Sequence, residues 1–577
     1  MIRRKQALSD QASQHLSLRL LPGVIIVILQ WLFRFVIPVL VPGTAEIGVL
    51  VGLAGGLAII IWWAFFSRAH RVDRWTAVIL MLAALVAIRG LVHESIVTGF
   101  QGLMYFVYAV PVLSLAFVVW AMATRRLPAR PRRMLMAMTI VLACGMWTLL
   151  RSDGITGYAG AYFRWRWAET PEQKLMAESG DELTARWPEP VALETKAEWP
   201  GFRGPQRNGV VPGVKIGTDW IASPPVALWR QPIGPGCSSF AVHGNLIYTQ
   251  EQRGAMEMVS CYNLAEGKPV WKHGDEARFW DSHAGAGPRA TPTLHGDRVY
   301  TFGATGILNV LDAHNGSVVW SRNAATDTKA EHSGWGFTSS PLVVDSSVII
   351  AAAGILAAFD IKTGKPCWVG PDGGKGYSSP HLMTIDGIKQ ILLLSEVGVT
   401  SVLPADGTVL WKHEWPEERI VQPAMTEDGD ILLSAGGVKG IRRISISHGS
   451  DGWKTEERWT SLQMKPSFND IVVHKGHAFG FVGPNLTCID ISDGKRKWRG
   501  GRYGGQILLL PDQDLLLVLS EKGELALVRA VPDEFTELAR FPAIEGKTWN
   551  HHVLINNVVL VRNAQEMAAF RLPSAGS

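Results

Sequence analysis

The stretch Phe359-Asp-Ile-Lys-Thr-Gly-Lys-Pro-Cys-Trp368 joins an apolar run to a tryptophan through an acidic turn and a glycine. Variants recur at Tyr262-Asn-Leu-Ala-Glu-Gly-Lys-Pro-Val-Trp271, Leu311-Asp-Ala-His-Asn-Gly-Ser-Val-Val-Trp320, Pro404-Ala-Asp-Gly-Thr-Val-Leu-Trp411 and Ile489-Asp-Ile-Ser-Asp-Gly-Lys-Arg-Lys-Trp498. A period of roughly forty to fifty residues marks a solenoid or a propeller. Each copy reads as a strand, a tight turn with glycine in a left-handed position, and a second strand ending in tryptophan. That unit is a β-propeller blade.

Blades are counted outward from this stretch. Closing tryptophans fall at Trp229, Trp271, Trp320, Trp368, Trp411 and Trp498, with a weak copy at Trp459 and a degenerate unit near Leu538 and Phe541. Each blade opens on small or polar residues: Ser238-Ser239, Ala290-Thr291, Ser339-Ser340, Ser378-Ser379, Gln422, Asn469-Asp470 and Gly505-Gln506. A last unit opens at His551-His552 but lacks an outer strand, whereas the strand around Trp229 lacks a blade. Pairing the two closes a ring of eight blades and removes exposed sheet edges. The tryptophans then act structurally, as flat rings wedged between blades. Crowding at the axis accounts for the small residues there.

Ahead of the repeats lie five apolar stretches, residues 21–41, 47–66, 75–92, 103–123 and 134–150. About 20 helical residues cross a hydrocarbon core of roughly 30 Å, so the reading is five transmembrane helices over 1–150. Loop charge supports it. Arg3, Arg4, Lys5 and Arg19 precede the first helix, Arg68, Arg71 and Arg74 follow the second, and Arg125, Arg126, Arg130, Arg132 and Arg133 follow the fourth. The intervening loops hold no Lys or Arg. Alternating basic loops place the N-terminus in the cytoplasm and, after five crossings, the rest outside. Tyr158, Tyr162, Phe163, Trp165 and Trp167 suit the outer interface, and residues 151–196, with Trp187 between charges and prolines, read as a linker. Arg34 and Arg89 sit within or beside apolar stretches, which is costly. They read either as a lipid, quinone or proton site or as side chains reaching an interface or a partner such as Glu94.

The net charge of +5 is a membrane signal: residues 1–133 hold 14 of the 56 Lys/Arg but 4 of the 51 Asp/Glu, which leaves the remainder mildly acidic. A nucleic-acid partner would require a basic folded face, and none is expected. The five cysteines are scattered, with no adjacent pair and no Cys-x-x-Cys-His motif, and read as small buried residues.

On these residues the acidic-turn, Gly-Lys and Trp pattern on an all-β eight-bladed propeller, over about 197–573, resembles the pyrroloquinoline-quinone (PQQ)-like propellers. That group includes quinoprotein dehydrogenases and a non-catalytic outer-membrane-assembly lipoprotein. The all-α five-helix domain ahead of it resembles the layout of membrane-bound glucose dehydrogenase. The lead-in Trp199-Pro-Gly-Phe-Arg-Gly-Pro-Gln-Arg-Asn-Gly209 and Gly285-Ala-Gly-Pro-Arg-Ala-Thr-Pro292 resemble a broad group of bacterial propellers of mostly unassigned activity. The enzymatic branch implies PQQ with Ca²⁺ held by Glu, Asn and Asp, a further Asp as base, and a vicinal disulfide on one cofactor face. Here no Cys-Cys pair occurs, and the blade openings carry Ser, Thr, Gln and Asn, with Asp470 the main carboxylate.

The loops entering the innermost strands nominate a channel mouth for a small polar ligand, a peptide or the cofactor: His283, Arg289, Thr291, Trp335, Ser339, Tyr377, Ser378, Gln422, Asn469, Trp549, Asn550 and His551. The same residues also suit blade-to-blade packing. Of His283, His332, His381, His551 and His552 only the last two have a tight spacing, and neighbours on a strand point to opposite faces, so no metal centre is expected. The expectation is a membrane-tethered scaffold for a protein or small-molecule partner. The alternative is a PQQ-dependent dehydrogenase of an alcohol or sugar, passing electrons to a membrane quinone.

Overall fold

The computed structural model describes residues 19–41, 44–157, 160–179, 197–417 and 420–575. Two compact units result, Met1–Ala168 and Glu169–Ser577. Arg3, Arg4, Lys5, Tyr158 and Trp187, all used in the sequence reading, lie outside the described residues.

Among the described residues, five long helical segments, with short helical turns at Glu94–Val97 and Met146–Leu149, build the first unit. They are α1 (Leu21–Trp31, continued by a π-helical turn, Leu32–Val36, into Ile37–Leu40), α2 (Ala45–Ile61, continued by Trp62–Phe66), α3 (Arg71–Arg89), α4 (Met104–Ala123) and α5 (Ala129–Gly145). Four stretches, Leu21–Leu40, Ile47–Phe66, Met104–Ala123 and Ala129–Leu149, are long and apolar enough to cross a membrane. α3 carries Arg71, Asp73, Arg74 and Arg89 towards its ends, and Asp73 pairs with Arg133 at 2.5 Å. Arg34 is buried on the π-helical turn, its guanidinium 4.8 Å from the Tyr108 ring centre and its stem against Gly52.

The start of the expected linker is instead a hairpin of this unit, β1 (Leu150–Ile155) and β2 (Ala161–Trp165). Phe163, expected at a membrane interface, packs edge-on to Tyr108 at 4.9 Å and Trp147 at 5.4 Å. Ser152 N–H donates to Ser95 Oγ at 2.8 Å. A helix α6 (Pro171–Ser179) belongs to the second unit, where Glu172 binds Arg278 at 2.7 Å and accepts from Gly254 N–H.

The second unit is a propeller of eight four-stranded sheets. Blades 1 to 7 have innermost strands at Ala241–His243, Thr293–His295, Leu342–Val344, His381–Ile385, Ala424–Met425, Val472–His474 and Gln506–Leu510. Blade 8 takes its inner three strands from the C-terminal end and its outer strand from Val226–Pro232, pairing Val226 with Arg571 and Pro232 with Glu566. The split blade read from the sequence is therefore real.

The recurring turn explains itself chemically. Asp360 Oδ1 accepts from Thr363 N–H at 2.8 Å and Thr363 Oγ1 at 2.7 Å. Gly364 follows with φ +69°, where a side chain is strained. A Cβ there would also meet the Trp320 indole of the preceding blade at 2.7 Å. The glycine is required twice, once for its conformation and once as the seat of a neighbour's ring. Trp320 completes the staple by donating Nε1–H to Ile361 O at 3.0 Å. Trp229, Trp271, Trp368, Trp459 and Trp498 likewise donate to carbonyls of the next blade, at 2.8, 3.0, 3.0, 2.8 and 2.7 Å. The weak copy at Trp459 thus docks fully. Trp411 is buried but donates to Gln390 Oε1 of its own blade at 2.7 Å. Blade 5 has no such turn; its hairpin Gly440–Gly449/Gly452–Ser461 instead reaches over blade 4, placing Thr455 Oγ1 3.2 Å from His413 Nδ1.

Candidate functional site

Antiparallel alternation puts the loops entering each innermost strand, and the hairpins between second and third strands, on one face, termed upper. Just inside it the blade openings form a girdle. Ser239 N–H donates to Thr291 Oγ1 (3.0 Å), Thr291 N–H to Ser340 Oγ (3.0 Å) and Ser340 N–H to Ser379 Oγ (2.9 Å). With its amide turned to face Ser379, Gln422 accepts from Ser379 N–H (3.1 Å), and Gln422 N–H donates to Asp470 Oδ1 (2.7 Å). Gln506 Nε2 reaches Trp549 O (3.2 Å), and Ser239 Oγ donates to His551 O (2.6 Å). Ser339 Oγ accepts from Ala351 N–H, Ser378 Oγ donates to Val421 O, Asn469 Nδ2 to Gly505 O, and Asn550 Nδ2 to Gly236 O and Ser238 O. Unpaired N–H groups near an axis are expensive to bury, and these side chains answer that demand. Thr291, Ser339, Ser378, Gln422, Asn469 and Asn550 are therefore engaged between and within blades.

A second group gathers above the girdle. Arg289 is buried, pairs through Nη2 with Asp281, and donates to Gly285 O (2.7 Å) and Trp335 O (3.3 Å). Asp281 also accepts from His283 N–H at 2.6 Å and Ala284 N–H at 2.9 Å. Trp335 lies 4.6 Å from Tyr377 and 5.8 Å from His283, ring centre to ring centre. Lys547 donates to His283 O at 2.7 Å and stands 4.1 Å over the Trp549 ring, whose Nε1 donates to Glu521 at 2.7 Å. Burial pushes the Lys547 amine down to about 8 and also lowers the His283 imidazole. Sequence reasoning named His283, Arg289, Trp335, Tyr377 and Trp549 here but missed Asp281 and Lys547, which carry no motif.

The opposite end of the channel is plugged by the lead-in segment. Trp199 pairs with Val242 of blade 1, and Val211 N–H donates to Leu509 O of blade 7 at 2.8 Å. Between these anchors Arg203 enters the channel, donating to Ile471 O at 2.9 Å and lying 3.3 Å from Asp470. Arg207 donates to Pro341 O at 2.9 Å and Ser340 O at 3.0 Å. Phe202 meets His551 edge-on at 5.0 Å, and His551 Nε2 is 3.8 Å from Asp470. Burial, then the neighbouring arginines, hold His381 down to about 3; burial and Arg203 do the same to His551. The double arginine of the lead-in was the available signal.

A calcium-bound quinone over the mouth requires free carboxylates and an open indole face. Asp281 is occupied by Arg289 and two backbone amides, Asp470 by Gln422 and Arg203, and Trp335 by Tyr377. Among the described residues no three His, Cys, Asp or Glu converge as metal ligands, and all five cysteines are unbridged. This donor set does not fit the group.

The upper face also carries an apolar patch on blades 4 and 5. Val438 is 81% exposed, Leu462 53% and Val397 40%. Their loops are tied together: Trp415 N–H donates to Val397 O at 3.1 Å, and Lys439 Nζ donates to Pro416 O.

Fold and site together define a plugged eight-bladed β-propeller preceded by helices able to anchor it in a membrane. Its repeats are similar to those of PQQ-like propellers over part of their length. A family model described as outer membrane protein assembly factor BamB matches residues 255–424. The chain is 30% identical over 154 residues, 24% of its length, to quinohemoprotein alcohol dehydrogenase ADH IIB of Pseudomonas putida, and covers 21% of that protein. It is 25% identical over 261 residues, 41% of its length, to BamB of Burkholderia pseudomallei, and covers 61% of it. The chain thus spans about a fifth of the first relative and under two thirds of the second. Among solved structures, BamB from Moraxella catarrhalis aligns with 60% of this chain and 98% of its own, at TM-score 0.45 and 14% identity.

Proposed function

We propose that this protein is a binding propeller, held at the extracytoplasmic side of a bacterial cytoplasmic membrane by its N-terminal helices, that docks a protein partner on its upper face. One contrast carries the reading. The polar groups of the mouth are engaged internally, whereas Val397, Val438 and Leu462 stand exposed on adjoining, mutually braced loops. Exposed apolar residues gathered on adjoining loops are a feature of interaction sites. Alternating basic loops in the helical region support the orientation. A relative named as an assembly factor fits docking better than turnover.

The test is co-purification of the full chain with its partner. Val438→Asp should lower partner recovery by at least about tenfold, as expected for a central apolar contact. Ile221→Asp, at a 96% exposed apolar residue outside the patch, should leave recovery unchanged. Equal losses in both variants would sink the docking surface. Saturable binding of PQQ with Ca²⁺ and dye reduction with an alcohol or sugar would favour a dehydrogenase instead.

A further inference from the structure

Beside the plug, on the lower face, lies a cavity of about 550 Å³ bounded by the lead-in segment and by blades 1 to 3. Its size falls within the roughly 300–1,000 Å³ of small-molecule sites, which pair apolar walls with a few polar groups. The walls are of that kind: Phe202, Pro205, Leu294 and Val343 supply apolar surface, with His295 at the rim and Arg207 in the lining. The glycine backbone of the lead-in is pressed against blade 2, where a Cβ on Gly201 would meet Pro292 O at 2.9 Å.

The electrostatics of this end are one-sided. Arg203 has Asp470, whereas Arg207 donates to two carbonyls and lies 5.7 Å from the Phe202 ring centre. No carboxylate pairs with Arg207 among the described residues. Burial and Arg203 push its guanidinium down to about 9, so a nearby negative charge would be stabilised. His381, kept neutral by burial and the two arginines, adds no further positive charge. The carboxylate in the lining, Asp297, sits at the exposed rim, 3.8 Å from Arg298.

We infer that this cavity is a binding site for a small organic carboxylate with an apolar body, its acid group turned towards Arg207 and its hydrocarbon against Phe202, Leu294 and Val343. The site is distinct from the upper-face docking surface and stands or falls separately from it.

The experiment uses the full chain in lipid nanodiscs and two probes of one shape, 3-phenylpropanoate and its neutral amide, with binding read by calorimetry. The carboxylate should bind saturably at one site, with the amide at least about tenfold weaker, as expected when one buried charge discriminates. Val343→Trp fills the cavity from a half-buried strand position and should abolish binding while the melting transition stays in place. Arg207→Gln, if it folds, should reduce the acid-over-amide preference. Three results would overturn the inference: acid and amide binding alike, unaltered binding in Val343→Trp, or no saturable binding up to about 10 mM, beyond which affinity is too weak for a site.

Discussion

The two ends of the channel each bury an arginine against an aspartate, and they do so differently. At the mouth, Arg289 and Asp281 lie eight residues apart in one loop, and both keep backbone partners near by. At the plug, Arg203 comes from the lead-in and Asp470 from blade 6, so the pair fastens the lead-in to a blade on the far side of the ring from its strand pairing in blade 1. The Arg203 and Asp470 side chains are 2% and 6% exposed, against 4% and 9% for Arg289 and Asp281. The first arrangement shapes a loop. The second holds the channel shut.

Removing the carboxylates has the largest expected effect on the two ends. Asp470→Ala strands a guanidinium in the channel and deprives Gln422 N–H of its acceptor, which should cost about 3–5 kcal/mol. Asp281→Ala should cost less, about 1–3 kcal/mol, because the amides it leaves without an acceptor, His283 and Ala284 N–H, lie in a half-buried turn, whereas Gln422 is buried. Denaturant titration of both variants decides it. If Asp281→Ala proved as costly as Asp470→Ala, the mouth pair would be as structural as the plug pair.

Acid sharpens the same contrast. His381 has a folded value of about 3, far below the ordinary imidazole range. Between about pH 6.5 and 3 the unfolded chain binds this proton and the folded chain does not, so stability falls as pH falls through that window. His381→Leu should flatten the fall by up to about 1 kcal/mol per pH unit at its steepest. Leu342 opens the innermost strand of blade 3 as His381 opens that of blade 4, so leucine suits the position. His283→Leu at the mouth should alter the slope less, because His283 is only half-buried and Asp281 offsets its burial. Equal flattening by the two would mean that the plug is wetter than its geometry implies.

Legibility in the sequence followed the range of the interaction. Asp360, Gly364 and Trp368 announce a blade because a turn and its strand are local, and the eight-fold count with its split blade followed from spacing alone. Trp411 carries the same local motif, yet its N–H turns to Gln390, because the acceptor turn would have to come from blade 5 and is absent there. The blade openings were legible as axis-lining but not as a girdle, since each bond depends on the neighbouring blade's backbone. Arg207 stood in plain view in the lead-in, but its acceptors lie 133 and 134 residues away. The hairpin at Leu150–Ile155 was hidden by a composition that reads as linker.

Lys547 gives the smallest and most selective probe of the mouth. Its amine is buried without an ion pair among the described residues, held by His283 O and the Trp549 face, and its folded value of about 8 lies below the ordinary lysine value. Between about pH 8 and 10.4 the unfolded chain holds the proton more tightly, so wild-type stability rises with pH across that range. Lys547→Met removes the desolvation cost together with one hydrogen bond and one cation–π contact. It should therefore stabilise the protein by about 1 kcal/mol at pH 7. The gain should vanish towards pH 10.4, where the folded wild-type amine is already neutral and the unfolded one is about half deprotonated. Thermal melts across that range read the difference. A penalty instead of a gain at pH 7 would show that the ammonium is net stabilising there, and that the mouth tolerates an unpaired charge as the plug does at Arg207.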